Sequence, residues 1–199
     1  MEVRRSVFHA HLARADDEET ARQVVAGARR RHPQARHHCS AFVVSLPDAN
    51  PVERFSDDGE PAGTAGAPIL AALHAEALVD AVVVVSRYFG GVKLGTGGLA
   101  RAYGQAAAQV LAGTPRVRPV TRTVWSTTVD HGVAGRLLSD LAARGAQVFP
   151  EYGAQVRLTV CCDDDAWLRT HLAELSSGTA TLVETGTREV EVPLPSISG

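Results

Sequence analysis

The stretch AVVVVSRYFGGVKLGTGGLARAY, residues 81–103, decides the fold of this chain. It opens on alanine and four valines with no polar interruption, the mark of a strand buried on both faces at the centre of a sheet. Five glycines then carry the chain into a helix, on which Leu99, Ala102, Tyr103, Ala106, Ala107 and Val110 recur on one face. Working back from the strand, Ile69, Leu70, Leu73 and Ala77 give an apolar stripe to a helix whose first turn suits Pro68. Residues 46–68 lose all periodicity and read as a loop of roughly 20 residues, a length that is usually functional or disordered. Before it come a short apolar strand at 39–46, a helix at 19–31 ended by Pro33, and a strand at 6–13, so the chain opens β-α-β.

Beyond the helix, residues 113–122 carry Pro115 and Pro119 and read as a linker. Strand 125–130, helix 133–144, strands 147–152 and 155–161, helix 164–175 and strand 179–184 then follow. That β-α-β-β-α-β order is the ferredoxin-like split unit. The expected organisation is α+β with two domains, 1–113 and 123–199, joined at 114–122. A chain of 199 residues with 45% hydrophobic content can fill two small cores. Asp163, Asp164 and Asp165 are expected to cap the last helix rather than to hold a metal.

Charge and composition narrow the function. The net charge of -2 excludes a global positive field, so contact with nucleic acid must rest on a local patch. Only Lys93 among the 20 basic residues is a lysine. Three cysteines without a disulfide spacing favour the cytoplasm, and neither a signal-peptide core nor a membrane span is expected.

Three segments carry chemistry. In FSDDGEPAGTAGAP, residues 55–68, Asp57, Asp58 and Glu60 crowd into four positions and repel one another unless compensated. Arginine pairing within a turn, contact with a partner, or a divalent cation would each do this. In GGVKLGTGG, residues 90–98, the helix start leaves N-H groups near Thr96, Gly97 and Gly98 open to an anion, with Lys93 and Arg101 flanking it. The spacing is neither a Walker loop nor GxGxxG, and a plain tight turn explains the glycines equally. In RRRHPQARHHCSAF, residues 29–42, Arg29, Arg30, Arg31, His32, Arg36, His37 and His38 form the one strongly basic patch. His37, His38 and Cys39 alternate across a strand and cannot all reach one zinc without a bend. Ser56, Ser86 and Cys39 lie in no nucleophile signature.

Read together, these segments resemble the IMPACT/YigZ family from about His32 to Ala107. The signature covers Arg36, His37, His38, Phe55, Ser56, Asp57, Asp58, Gly59, Glu60, Pro61, Gly63, Thr64, Gly66, Arg87, Gly90, Gly91, Leu94, Gly95, Gly97, Gly98, Leu99 and Tyr103. The resemblance implies an N-terminal α/β sandwich like domain IV of elongation factor G and a small-subunit ribosomal protein domain. It implies a C-terminal module like domain V of the same factor. Val7 stands where family members often carry a basic residue. The expected function is a translation-associated protein contacting RNA, the ribosome or a translation factor, with no catalytic residue, cofactor, metal or membrane assigned. The alternative is an enzyme that holds a phosphorylated or nucleotide ligand at the glycine loop and uses the acidic loop for Mg²⁺ or as a base.

Overall fold

The protein is described by a computed structural model over residues 1–194. It divides into two compact units, Met1–Thr114 and Pro115–Gly199.

The first unit runs β1 (Glu2–Val3), β2 (Ser6–Arg14), α1 (Glu18–Arg31), β3 (His37–Leu46), β4 (Ala49–Ser56), α2 (Gly66–Ala75), β5 (Ala81–Tyr88) and α3 (Thr96–Ala112). Its sheet has the order β1-β2-β5-β3-β4, with every neighbouring pair antiparallel. The valine strand is therefore central, as its lack of polar residues demands. Val83 and Val85 face Ile69, Leu73, Leu99 and Tyr103 from α2 and α3, while Val82 and Val84 face Ala21 and Ala28 of α1. Each such burial contributes roughly 1.5–3 kcal/mol. Asp17 caps α1 through the Thr20 N-H at 2.6 Å, and Arg29, Arg30 and Arg31 fill its last turn, complementing the dipole at both ends.

Part of the expected loop at 46–68 is strand. Ala49–Ser56 pairs with β3 as the outermost strand of the sheet. Because it is an edge, most of its side chains are exposed, and Pro51 falls at the irregularity in the β3–β4 register between Val44 and Leu46, where a missing N-H is tolerated. The apolar alternation that marks a half-buried strand was therefore absent.

The second unit runs β6 (Val117–Val129), α4 (His131–Ala143), β7 (Gln147–Tyr152), β8 (Val156–Cys162), α5 (Asp165–Ser176) and β9 (Val183–Pro193), with the sheet order β7-β8-β6-β9. Most of the expected linker is the start of β6, where Val117 to Thr123 pairs with β9. The final strand is Val183–Pro193 and not residues 179–184. Both segments are polar and largely exposed ribbon, which hides their period. The ribbon bends at a bulge beside Val124 and at Gly186, and it curls the sheet until its outer strands touch. Gln147 of β7 donates to the Glu191 carbonyl of β9 at 3.1 Å, and Arg188 lies 5.1 Å from the Phe149 ring. Asp164 caps α5 through the Trp167 N-H at 2.9 Å, as its position before the helix requires. Among the described residues no helix is long and apolar enough to cross a membrane.

Candidate functional site

The acidic loop between β4 and α2 finds its partners inside the fold. Asp57 Oδ1 accepts the N-H groups of Ala65 and Gly66 at 2.9 and 2.8 Å, and its Oδ2 accepts Gly63 N-H at 2.8 Å. It thereby caps α2, whose own N-cap residue Ala65 has no side chain for the task. Burial alone would raise the Asp57 carboxyl, but the three backbone donors outweigh it and hold it below the ordinary 3.8. Asp58 Oδ1 accepts Arg29 at 2.5 Å and its Oδ2 accepts the His38 N-H at 2.6 Å, while its carbonyl accepts His37 Nδ1-H at 2.9 Å. Burial pushes Asp58 up, and Arg29 with the His38 N-H brings it net below the usual range. Ser56 Oγ accepts the Asp58 N-H at 3.3 Å, and the Thr64 hydroxyl donates to the Pro61 carbonyl at 2.6 Å.

Stability linked to Asp57 is complete above the ordinary carboxyl value and is lost as pH falls through its depressed folded value. Asp57→Asn should cost about 1–2 kcal/mol at neutral pH, since an amide N-H₂ would face the Gly63 donor. It should also flatten the loss of stability below about pH 4, because one linked proton disappears. Urea unfolding across pH checks both; a variant as stable as the parent with an unchanged acid limb contradicts the capping role.

Glu60 turns further inward. Its Oε1 accepts Arg87 Nη1 at 2.6 Å and the Tyr103 hydroxyl at 2.8 Å, with His37 Nε2 4.0 Å away. The Glu60 and Arg87 side chains are only 4% and 6% exposed. Arg87 also donates to Ser6 Oγ at 3.2 Å and lies against Phe8 and Phe89, its ring distances being 5.5 and 5.6 Å. Tyr103 meets Phe8 edge-on at 5.2 Å. Burial first, then Cys39 and Glu60, drives the Tyr103 hydroxyl far above its ordinary range. Burial likewise pushes the Cys39 thiol up to about 12, and this thiol donates to the Asp57 carbonyl. Neither group is a nucleophile at neutral pH.

Of the basic segment, Arg29 is spent on Asp58, and His38 turns inward to Ser86 Oγ at 2.9 Å. Burial and then Arg29 lower the His38 value against the pull of Asp58. His32 reaches the Tyr88 hydroxyl at 3.0 Å and stacks on His9. Among the described residues no three His, Cys, Asp or Glu side chains are grouped to hold a metal ion. The carboxylates of the loop serve three different partners instead of converging.

What faces outward is cationic. Arg36 lies 5.5 Å from the ring of exposed Phe89. Lys93, Thr96, Gly97 and Arg101 are exposed, and the N-cap residue of α3 is Gly95, φ 75°, which leaves no side-chain cap over the first N-H groups of the helix. No hydrogen bond or ion pair among the described residues joins the acidic loop to residues 93–101. The acidic loop and the helix start do not complete each other; Glu60 with Arg87 and Tyr103 is a separate, buried unit.

A further pair was missed in the sequence. Val3 pairs with Ser6, so Arg4 and Arg5 are the two corner residues of a tight hairpin, with φ of 46° and 65°. Glycine or asparagine is the usual occupant of both corners of such a turn. The Arg5 backbone packs on Gly90, and the Gly90 N-H donates to Ser6 Oγ at 3.3 Å, so the arginine corner abuts the glycine loop. The adjacent arginines in RRSVF were the signal, but a two-residue β1 left no strand pattern to reveal a turn.

These features define an α+β protein of two units whose first carries an acidic loop satisfied within the fold and, apart from it, an exposed glycine loop with Lys93. The Impact N-terminal domain model matches residues 4–111, and the chain belongs to the IMPACT family. It is 48% identical over 122 residues to the IMPACT family member YigZ of Escherichia coli K12, a match that covers 60% of each chain. It is 37% identical over 139 residues to the IMPACT family member YvyE of Bacillus subtilis, covering 70% of this chain and 63% of that one. A Thermus thermophilus IMPACT family member is 41% identical over 150 residues, covering 75% and 79%. The matched stretch thus spans less than two thirds of YigZ and YvyE. A solved structure described only as a hypothetical protein aligns over 93% of this chain and 91% of its own, at 36% identity and a TM-score of 0.57.

Proposed function

We propose that this chain is a translation-associated protein that binds RNA, free or in the ribosome, through the cationic end of its first sheet. The observation that carries this reading is the Arg4-Arg5 corner. Each arginine occupies the left-handed region, which costs of order 1 kcal/mol for a residue with a Cβ. A hairpin under no other demand does better with Asn-Gly. Two arginines held there against their backbone preference, against the glycine loop that carries exposed Lys93 and at the same end of the sheet as exposed Arg36, suit a surface that meets phosphate.

The acidic loop is compatible with the same reading, because Asp58 and Glu60 are paired with Arg29 and Arg87 and Asp57 sits at the N-terminus of α2, whose dipole offsets part of its charge. The enzyme alternative needs one of those carboxylates for Mg²⁺ or as a base, and each already serves the fold. On this proposal the first unit plays the part of a module like elongation factor G domain IV, and the second that of a module like its domain V. The protein would act in the cytoplasm, which suits its free thiols at Cys39, Cys161 and Cys162.

Binding of RNA or ribosomes should weaken steeply between low and moderate salt, since each phosphate contact releases counterions. Binding that is absent at low salt, or flat across the titration, overturns the proposal.

A further inference from the structure

We infer that the RNA taken by this surface is single-stranded, with a base stacked on Phe89 and the flanking phosphates held by Arg36 and Lys93. The inference rests on the RNA-binding reading above and adds which form of RNA is chosen.

Phe89 follows the last residue of the central strand and is 39% exposed, and Val92 in the same loop is 38% exposed. The other rings at this end of the sheet satisfy one another: His9 stacks on His32, both meet Tyr88, and Phe8 meets Tyr103. Among the described residues Phe89 has no ring partner; its neighbours are the guanidinium groups of Arg36, exposed, and Arg87, buried. An exposed aromatic ring beside the exposed Arg36 guanidinium, in a loop that also carries exposed Lys93, is what a splayed base with its phosphates requires. A duplex keeps its bases stacked on one another and presents phosphates only, so Phe89 and Val92 would contribute little to holding it. The loop also leaves room for the strand, because nothing lies within 4 Å of where a Cβ would stand on Gly91, Gly95 or Gly97.

The test compares a labelled oligouridine of about ten nucleotides with an RNA duplex of the same length by fluorescence anisotropy at low salt. The single strand should bind more tightly. Phe89→Ala should weaken the single strand by about fivefold to a hundredfold and leave the duplex unchanged. Phe89→Trp should retain or improve single-strand affinity, and thermal unfolding should show each variant fully folded at the temperature of the binding assay. Equal affinity for both forms, or an unaffected Phe89→Ala, overturns the stacking inference while salt-sensitive binding leaves the electrostatic reading standing. No salt-sensitive binding to either RNA overturns both.

Discussion

Replacing Glu60 with alanine is expected to destabilise the first unit by about 3–5 kcal/mol, the range for breaking a buried ion pair from one side. Arg87 would remain buried with only Ser6 Oγ and the faces of Phe8 and Phe89 around it, and its Nε has no partner even in the intact protein. The Tyr103 hydroxyl, fully buried, would lose its acceptor at the same time. Desolvation cannot be recovered for either group, which is why the effect exceeds that of an exposed pair at about 0–1 kcal/mol. Removing both charges, as Glu60→Gln with Arg87→Met, should cost less than Glu60→Ala alone, because no uncompensated charge is left. Urea unfolding of the three proteins decides the matter. A loss below about 1 kcal/mol for Glu60→Ala would mean that the network is solvated and does not anchor the loop.

Gly90→Ala is expected to cost about 3 kcal/mol, at the upper end for an overpacked site. An added Cβ would stand 2.1 Å from both the carbonyl carbon and the oxygen of Arg5, atoms of backbone that cannot rotate away. Either the arginine hairpin or the glycine loop must move, and with it the Gly90 N-H bond to Ser6. Gly97→Ala is the internal control. Its Cβ meets nothing within 4 Å, its φ is not in the left-handed region, and it lies in the first turn of α3. That substitution should be neutral or mildly stabilising through helix propensity. Equal losses at the two positions, read from urea unfolding, would contradict the close approach of hairpin and loop.

Much of the architecture was legible because burial writes itself into apolar spacing. The valine run announced the central strand, and the stripes on α1, α2 and α3 announced the layers around it. Strand β4 and the outer parts of β6 and β9 were not legible, because an exposed ribbon needs no apolar period. At the site, the acidic loop could be recognised as charge requiring compensation, with arginine pairing among the open readings. Its partners could not be named. Arg29 meets Asp58 across 29 residues, Arg87 meets Glu60 across 27, and the third carboxylate, Asp57, is met by backbone N-H groups that carry no sequence signal. The strained Arg4-Arg5 corner was hidden because it departs from the turn chemistry by which hairpins are recognised.

That departure also supplies the most direct test, since it sets stability against binding. In the Arg4→Asn, Arg5→Gly double variant the backbone strain is relieved and two cations are lost. Affinity for single-stranded RNA, titrated against salt, should fall at every salt concentration. The slope of log affinity on log salt should flatten by about 0.7 for each phosphate contact removed. Thermal unfolding should show the same variant to be as stable as the parent or more so, by roughly 1 kcal/mol. Unchanged affinity and salt slope in a variant of that stability would contradict the claim that the cationic end of the first sheet is the RNA-binding surface.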